Sequence, residues 1–193
     1  MQSAVSIAEA MESNRDTEAA RIARGLRRRD LALLDELVER FQYRLVRYLI
    51  YLTARRERVD DWVQDTWVRV LDRAAQYDGR SRFETWLFSI ARNLAIDDLR
   101  RREGLSLESA KLPPDAASPF LDAARSQDAV RLAAALDTIE PVYREALMLR
   151  FQEELSLQEI SQVTGAPVPT VSTRIHRGLA KLRSRWEGGA NAL

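Results

Sequence analysis

Apolar residues recur at helical spacing along nearly the whole chain. From Thr17 to Tyr51 they stand at Ile22, Leu26, Leu33, Leu34, Leu37, Val38, Phe41, Leu45 and Leu49, the i, i+3, i+4 rhythm of a helix with one buried face. Val59 to Ala75 repeats it with Val63, Trp67, Val70 and Leu71. Tyr77-Asp78-Gly79-Arg80-Ser81 reads as a turn, since Asp-Gly readily supplies a positive φ. A further helix is predicted from about Phe83 to Arg102. The rhythm stops between Gly104 and Arg125, where Pro113, Pro114 and Pro119 stand among small residues, the composition of a linker. It returns at Gln127 and continues with breaks to Trp186, with Pro141 suited to the first turn of a new helix.

This pattern predicts an all-α chain of two small helical domains joined by a flexible linker, the second domain a helix-turn-helix. The divisions are an N-terminal extension over 1–16, a first domain over 17–103, a linker over 104–125, a second domain over 126–187 and a frayed tail over 188–193.

The sharpest local signal lies in the second domain. Ser156-Leu157-Gln158-Glu159 has the form of a capping box, in which serine and glutamate each satisfy the other's backbone N–H. Ile160 and Val163 supply the buried face of a short helix, Gly165 ends it, and Ala166-Pro167 makes a turn. A second helix then starts near Val168, with Val171 and Ile175 facing inward and Ser172, Thr173, His176 and Arg177 outward. Two helices joined this way, the second bearing an exposed polar face, have the logic of a helix-turn-helix that lays its second helix in a DNA major groove. By itself the motif is as often a structural corner as a DNA reader.

Charge sharpens the picture. The formal net charge is only +1, but the two signs are segregated. From Val168 onward Arg174, Arg177, Lys181, Arg183 and Arg185 face Glu187 alone, whereas the stretch before is dominated by Asp128, Asp137, Glu140, Glu145, Glu153 and Glu154. Basic charge thus falls on the element proposed to meet phosphate. Cysteine is absent and His176 is the single histidine, so disulfides and thiolate metal sites are excluded and no metal or cofactor is expected. No apolar run approaches the roughly 20 residues that span a bilayer, and Met1 to Arg15 lacks the form of a signal peptide. A cytoplasmic protein without membrane insertion is the expectation.

Several blocks, read in order, resemble the extracytoplasmic-function (ECF) family of bacterial RNA polymerase sigma factors. Asp60-Asp61-Trp62-Val63-Gln64-Asp65-Thr66-Trp67 is similar to the family's polymerase-binding helix. The run from Phe83 through Trp86-Leu87-Phe88-Ser89-Ile90-Ala91-Arg92-Asn93 to Asp97 looks like its promoter-melting and −10-recognition helix. Leu147-Met148-Leu149-Arg150-Phe151 and Leu155-Ser156-Leu157-Gln158-Glu159-Ile160 resemble the start of its −35-binding domain, and Val168 to Arg177 takes the place of its recognition helix. The likeness runs from about Glu18 to Arg185, across a divergent linker.

The resemblance implies sigma region 2 over 17–103 and sigma region 4 over 126–187, in a non-enzymatic transcription-initiation factor with no catalytic residues. It implies that Asp61, Gln64, Asp65 and Arg69 bind the core polymerase, on the clamp coiled coil of the large subunit. For the −10 element it implies Asn93 as the reader of an extruded base, Arg80, Arg82 and Arg92 as phosphate contacts, Trp86 on the melting surface, and Arg100 and Arg101 near downstream backbone. For the −35 element it implies Arg150, Ser172, Thr173, His176 and Arg177. The implied partners are RNA polymerase core subunits, promoter DNA and an anti-sigma factor. Three departures stand out. Ser172 occupies a position where relatives often carry arginine or lysine, Pro169 replaces a frequent glycine, and Glu154 replaces a common glycine before Leu155-Ser156.

Two other readings compete. A free-standing helix-turn-helix transcriptional regulator would have no use for the block from Asp60 to Trp67. A metal-dependent nuclease built on Asp60, Asp61 and Asp65 would need carboxylates converging on a shared site, yet only Asp61 and Asp65 share a helix face.

Overall fold

The computed structural model describes residues 18–53, 55–104 and 127–190. The predicted extension over 1–16 and nearly all of the predicted linker lie outside the described residues. Among the described residues all regular structure is helical. Helix α1 covers 18–27, α2 Leu31–Thr53, α3 Arg56–Asp72 and α4 Phe83–Glu103, with a 3-10 turn at Ala74–Gln76. The second group comprises α5 Gln127–Asp137, α6 Pro141–Phe151, α7 Leu157–Thr164 and α8 Val168–Ala190.

The periodic stretch from Thr17 to Tyr51 is not one helix. Arg29 takes a positive φ of 55° and ends α1, and the Asp30 carboxylate restarts the chain by accepting from the backbone N–H groups of Ala32 and Leu33 at 3.1 and 3.2 Å. Aspartate so placed satisfies two donors that the first helical turn leaves without partners. The pattern alone hid this break because Leu26 and Leu33 remain buried on either side of it. Gly79 adopts a φ of +79°, and a Cβ there would stand 3.0 Å from the Ala19 carbonyl oxygen, so the turn before α4 rests directly on α1.

The helix-turn-helix forms as its caps dictate. The Glu159 N–H donates to Ser156 Oγ at 3.2 Å, and the Ser156 N–H donates to Glu159 Oε2 at 2.7 Å. Gly165 closes α7 with a φ of +70°. Val171 and Ile175 are buried beneath α8, and a Cβ on Gly178 would meet Leu147 at 3.1 Å, so α8 crosses close over α6. The tail differs from expectation: α8 continues through Gly188 and Gly189 to Ala190. Glu154, just before Leu155-Ser156, adopts a left-handed φ of 55°.

The two groups of helices pack on each other, α6 against α2 and α7 against α4. One apolar core cluster therefore runs from Ile22 in α1 to Ile175 in α8.

Candidate nucleic-acid and partner interfaces

Helix α3 has two unlike faces. Val59, Trp62, Val63, Thr66 and Val70 are buried, while Asp61, Gln64, Asp65, Val68 and Arg69 are exposed. The four residues assigned to polymerase binding thus share one solvent-facing ridge, spaced i, i+3, i+4 and i+8 along the helix. Trp67, expected in the core, is only partly buried, and Trp62 is the tryptophan that packs fully.

The buried face of α3 is tied to α4 through Asp98. Its carboxylate accepts from Trp62 Nε1–H at 3.1 Å, Arg101 at 3.0 Å and Arg102 at 2.9 Å, and pairs with Arg58. Burial pushes the Asp98 carboxyl up, but hydrogen bonds from Arg101, Arg102 and Trp62 and the charge of Arg58 outweigh it and hold the group below the usual carboxylate range. A depressed folded-state pKa gives stability that is present above the unfolded value and lost as pH falls through the folded one. Asp98→Asn should therefore lower stability by about 2 kcal/mol at neutral pH, the range for a hydrogen bond to a charged group. In thermal melts the gap should close as pH drops below about 4, where the unfolded aspartate already titrates. Parallel melting curves at every pH would rule this role out. Neither Asp98 nor Trp62 stood out by sequence spacing.

In α4 and the turn before it, the residues assigned to the −10 element divide into three kinds. Asn93 is exposed. Arg80 is also exposed, its side chain 90% accessible, and it pairs loosely with Asp78 at 3.3 Å. Arg100 and Arg101 are exposed near the helix end, paired with Asp97 at 3.8 Å and Asp98 at 3.0 Å. Trp86 is half-buried and stacks on Tyr77, ring centroids 5.0 Å apart, while Phe88 is wholly in the core.

Arg82 and Arg92 are the third kind, because both are engaged by the C-terminal group. Arg92 Nε–H donates to Glu145 Oε1 at 2.7 Å, with its side chain 13% exposed and that of Glu145 fully buried. Arg82 donates to the Glu154 carbonyl at 3.4 Å and to Glu84 at 3.0 Å, and stands 3.9 Å from Glu159.

On the C-terminal side, Thr173, His176 and Arg177 are exposed on α8 and Ser172 is half-buried. The Thr173 hydroxyl donates to the Pro169 carbonyl at 2.9 Å. Arg150 is exposed but donates to the Leu155 carbonyl at 2.9 Å, bracing the turn into α7. Lys181, counted among the basic residues of α8, is paired with Glu140 at 2.8 Å. Among the described residues no group of three or more histidines, aspartates or glutamates is arranged to hold a metal ion, and no helix is long and apolar enough to cross a membrane.

Comparison with known proteins yields concordant matches. The family model of sigma-70 region 2 matches residues 37–104, and that of sigma-70 region 4 matches residues 129–182. ECF RNA polymerase sigma factor SigE of Mycolicibacterium smegmatis is 34% identical over 154 residues, covering 77% of this chain and 60% of its own length. ECF RNA polymerase sigma factor EcfG of Rhodopseudomonas palustris is 30% identical over 142 residues, covering 70% of this chain and 75% of its own. Among solved structures, CnrH in complex with the cytosolic domain of CnrY is similar with a TM-score of 0.62 and 26% identity, over 90% of this chain and 97% of that one. The sigma factor RpoE, in complex with the anti-sigma factor NepR from Bartonella quintana, shares the fold with a TM-score of 0.64 at 20% identity, over 79% of this chain and 96% of that one.

Proposed function

The chain belongs to the ECF family of RNA polymerase sigma factors, and on that premise we propose that it brings core RNA polymerase to specific promoters and opens them. Residues 17–103 act as the region that binds core and melts the −10 element, and residues 126–187 as the region that docks at −35. The observation that carries this reading is the exposed ridge Asp61, Gln64, Asp65 and Arg69 on a helix whose other face is core. A helix-turn-helix regulator acting alone needs no such surface, so the ridge favours the sigma reading over that rival.

At −35, α8 would enter the major groove with Ser172, Thr173, His176 and Arg177 toward DNA, and Arg150 would reach flanking phosphate. Ser172 is too short for the bidentate guanine contact that an arginine makes there, so this chain reads a promoter unlike those of relatives with arginine. Arg177→Ala should weaken −35 duplex binding by the polymerase complex and flatten its salt dependence by about 0.9 in log–log slope, the value for one lost phosphate contact. An unaltered slope would remove Arg177 from the interface.

A protein partner that silences the factor completes the proposal. Support comes from the similar structure of CnrH, which is held by the cytosolic domain of CnrY. The protein acts without catalytic residues of its own, inside the cell where polymerase is found. Run-off transcription with purified core polymerase over a library of genomic fragments tests the whole reading. Chain-dependent, discrete start sites are the expected result, and transcription no different from core alone would overturn it.

A further inference from the structure

Helix α1 is charged unevenly about its axis. Ala19, Ile22, Ala23 and Leu26 are buried, while Arg21, Arg24 and Arg27 are exposed, with Arg28 exposed just beyond the helix. Toward α2 the charges are matched: Arg21 pairs with Glu36 at 2.6 Å, and Glu18 pairs with Arg40. The other edge faces the turn that leads into α4, and there they are not. Among the described residues Arg24 and Arg28 pair with no carboxylate, and Arg27 donates to a neutral group, the Tyr77 carbonyl, at 3.3 Å. A Cβ on Gly79 would stand 3.3 Å from the Ala20 Cα, so Arg80 sits at the Ala20 end of α1 and Tyr77 at the Arg27 end. Arg24 lies one helical turn past Ala20 on the same face. The Arg28 N–H donates to the Arg24 carbonyl at 3.2 Å, which carries the coil one turn further. Arg80, Arg24, Arg27 and Arg28 thus form one cationic edge, with Asp78 as the carboxylate beside Arg80.

We infer that this edge of α1 is a phosphate track, on which Arg24 and Arg28 grip the backbone of single-stranded promoter DNA as it leaves the −10 reader at Arg80. The inference rests on the proposed −10 role of α4 and the turn before it. It adds a helix that lies upstream of residues 37–104, the part matched by the region 2 model. Like charges at i, i+3 and i, i+4 work against a helix, so an unmatched set of arginines calls for an anion from outside the chain. Guanidinium groups suit phosphate because they donate in a planar, two-pronged fork. An acidic protein surface is the rival occupant, and the neighbouring chemistry disfavours it. A polymerase surface that receives the exposed carboxylates Asp61 and Asp65 of α3 is itself cationic, and it would repel these arginines. A polyanion continuing from Arg80 meets no such conflict.

The test uses the full chain bound to core polymerase. Its probe is a promoter fragment mapped by run-off transcription and mismatched across the melted segment, so that opening is already done. Arg24→Gln/Arg28→Gln leaves Arg27 on the turn and changes two exposed helical positions to a residue of similar helix propensity. Affinity for the probe, titrated across a range of salt concentrations, should show a log–log slope flatter by about 1.4, the value for two lost single-strand phosphate contacts. At 0.1 M salt the double variant should bind about twenty-fold more weakly, the two lines meeting near 1 M. Arg24→Lys/Arg28→Lys keeps the charges and should keep the parent's slope. An unchanged slope in the glutamine variant, or an equal loss in the lysine variant, would overturn the track. Weaker binding of the glutamine variant to core polymerase alone would hand the edge to an acidic protein surface and overturn it as well. A failure of the sigma reading registers earlier and differently: the parent would select no start site with core polymerase, and the inference would fall with it.

Discussion

Reversing two charges, Asp61→Lys/Asp65→Lys, is expected to weaken binding to core RNA polymerase about a hundred-fold or more, since close interfacial charge pairs are each worth roughly 1.5 kcal/mol or above. Both carboxylates are exposed on α3, whose buried residues, Val59, Trp62, Val63, Thr66 and Val70, are untouched by the change. Surface substitutions of this kind usually move stability by no more than about 0.5 kcal/mol. Here the helix itself tolerates the change well, because lysine is a better helix former than aspartate and a like-charged i, i+4 pair merely replaces another. The loss of affinity therefore cannot be traced to unfolding. Titrating a fluorescent form of the double variant with core polymerase, at two salt concentrations, checks the prediction. Binding within three-fold of the parent would remove this ridge from the polymerase interface.

The same ridge shows what the sequence makes legible. A helix must put its apolar stripe inward, so the outward residues follow from the period alone, and Asp61, Gln64, Asp65 and Arg69 are exposed as that argument requires. Caps were equally readable. Ser156, Glu159 and Gly165 act on their immediate neighbours, and local chemistry survives whatever the tertiary structure does. Failure began where a side chain is decided by something far along the chain. Arg92 sits 53 residues from Glu145, and Arg44 109 residues from Glu153; no local window joins them. Charge counts had marked Glu145 and Glu153 only as part of an acidic stretch. The structure shows two of its carboxylates buried against arginines, the opposite of a solvated face. Trp62 was missed for a related reason. Periodicity gives the stripe, but the Asp98 carboxylate that accepts the Trp62 indole N–H lies 36 residues away, while Trp67 packs against the same core only partly buried.

Asn93 carries the other large effect. It stands exposed on α4 beside Arg92, which turns toward the C-terminal group, and between the buried positions Ala91 and Ala95. An amide so placed can donate and accept along the pairing edge of an extruded base, and such a two-bond contact is worth about 1–3 kcal/mol. Asn93→Ala should therefore reduce open-complex formation about ten- to a hundred-fold, with core binding unchanged because α3 is untouched. The substitution carries its own control for folding. Alanine favours a helix over asparagine by several tenths of a kcal/mol, so the variant should melt slightly higher than the parent while opening promoters less. Permanganate reactivity of thymines in the melted region, read at saturating polymerase, separates opening from binding. A variant that melts promoter DNA as fast as the parent would take Asn93 out of the −10 reader, whereas a variant slow only because it binds core poorly would assign the residue to the polymerase interface instead.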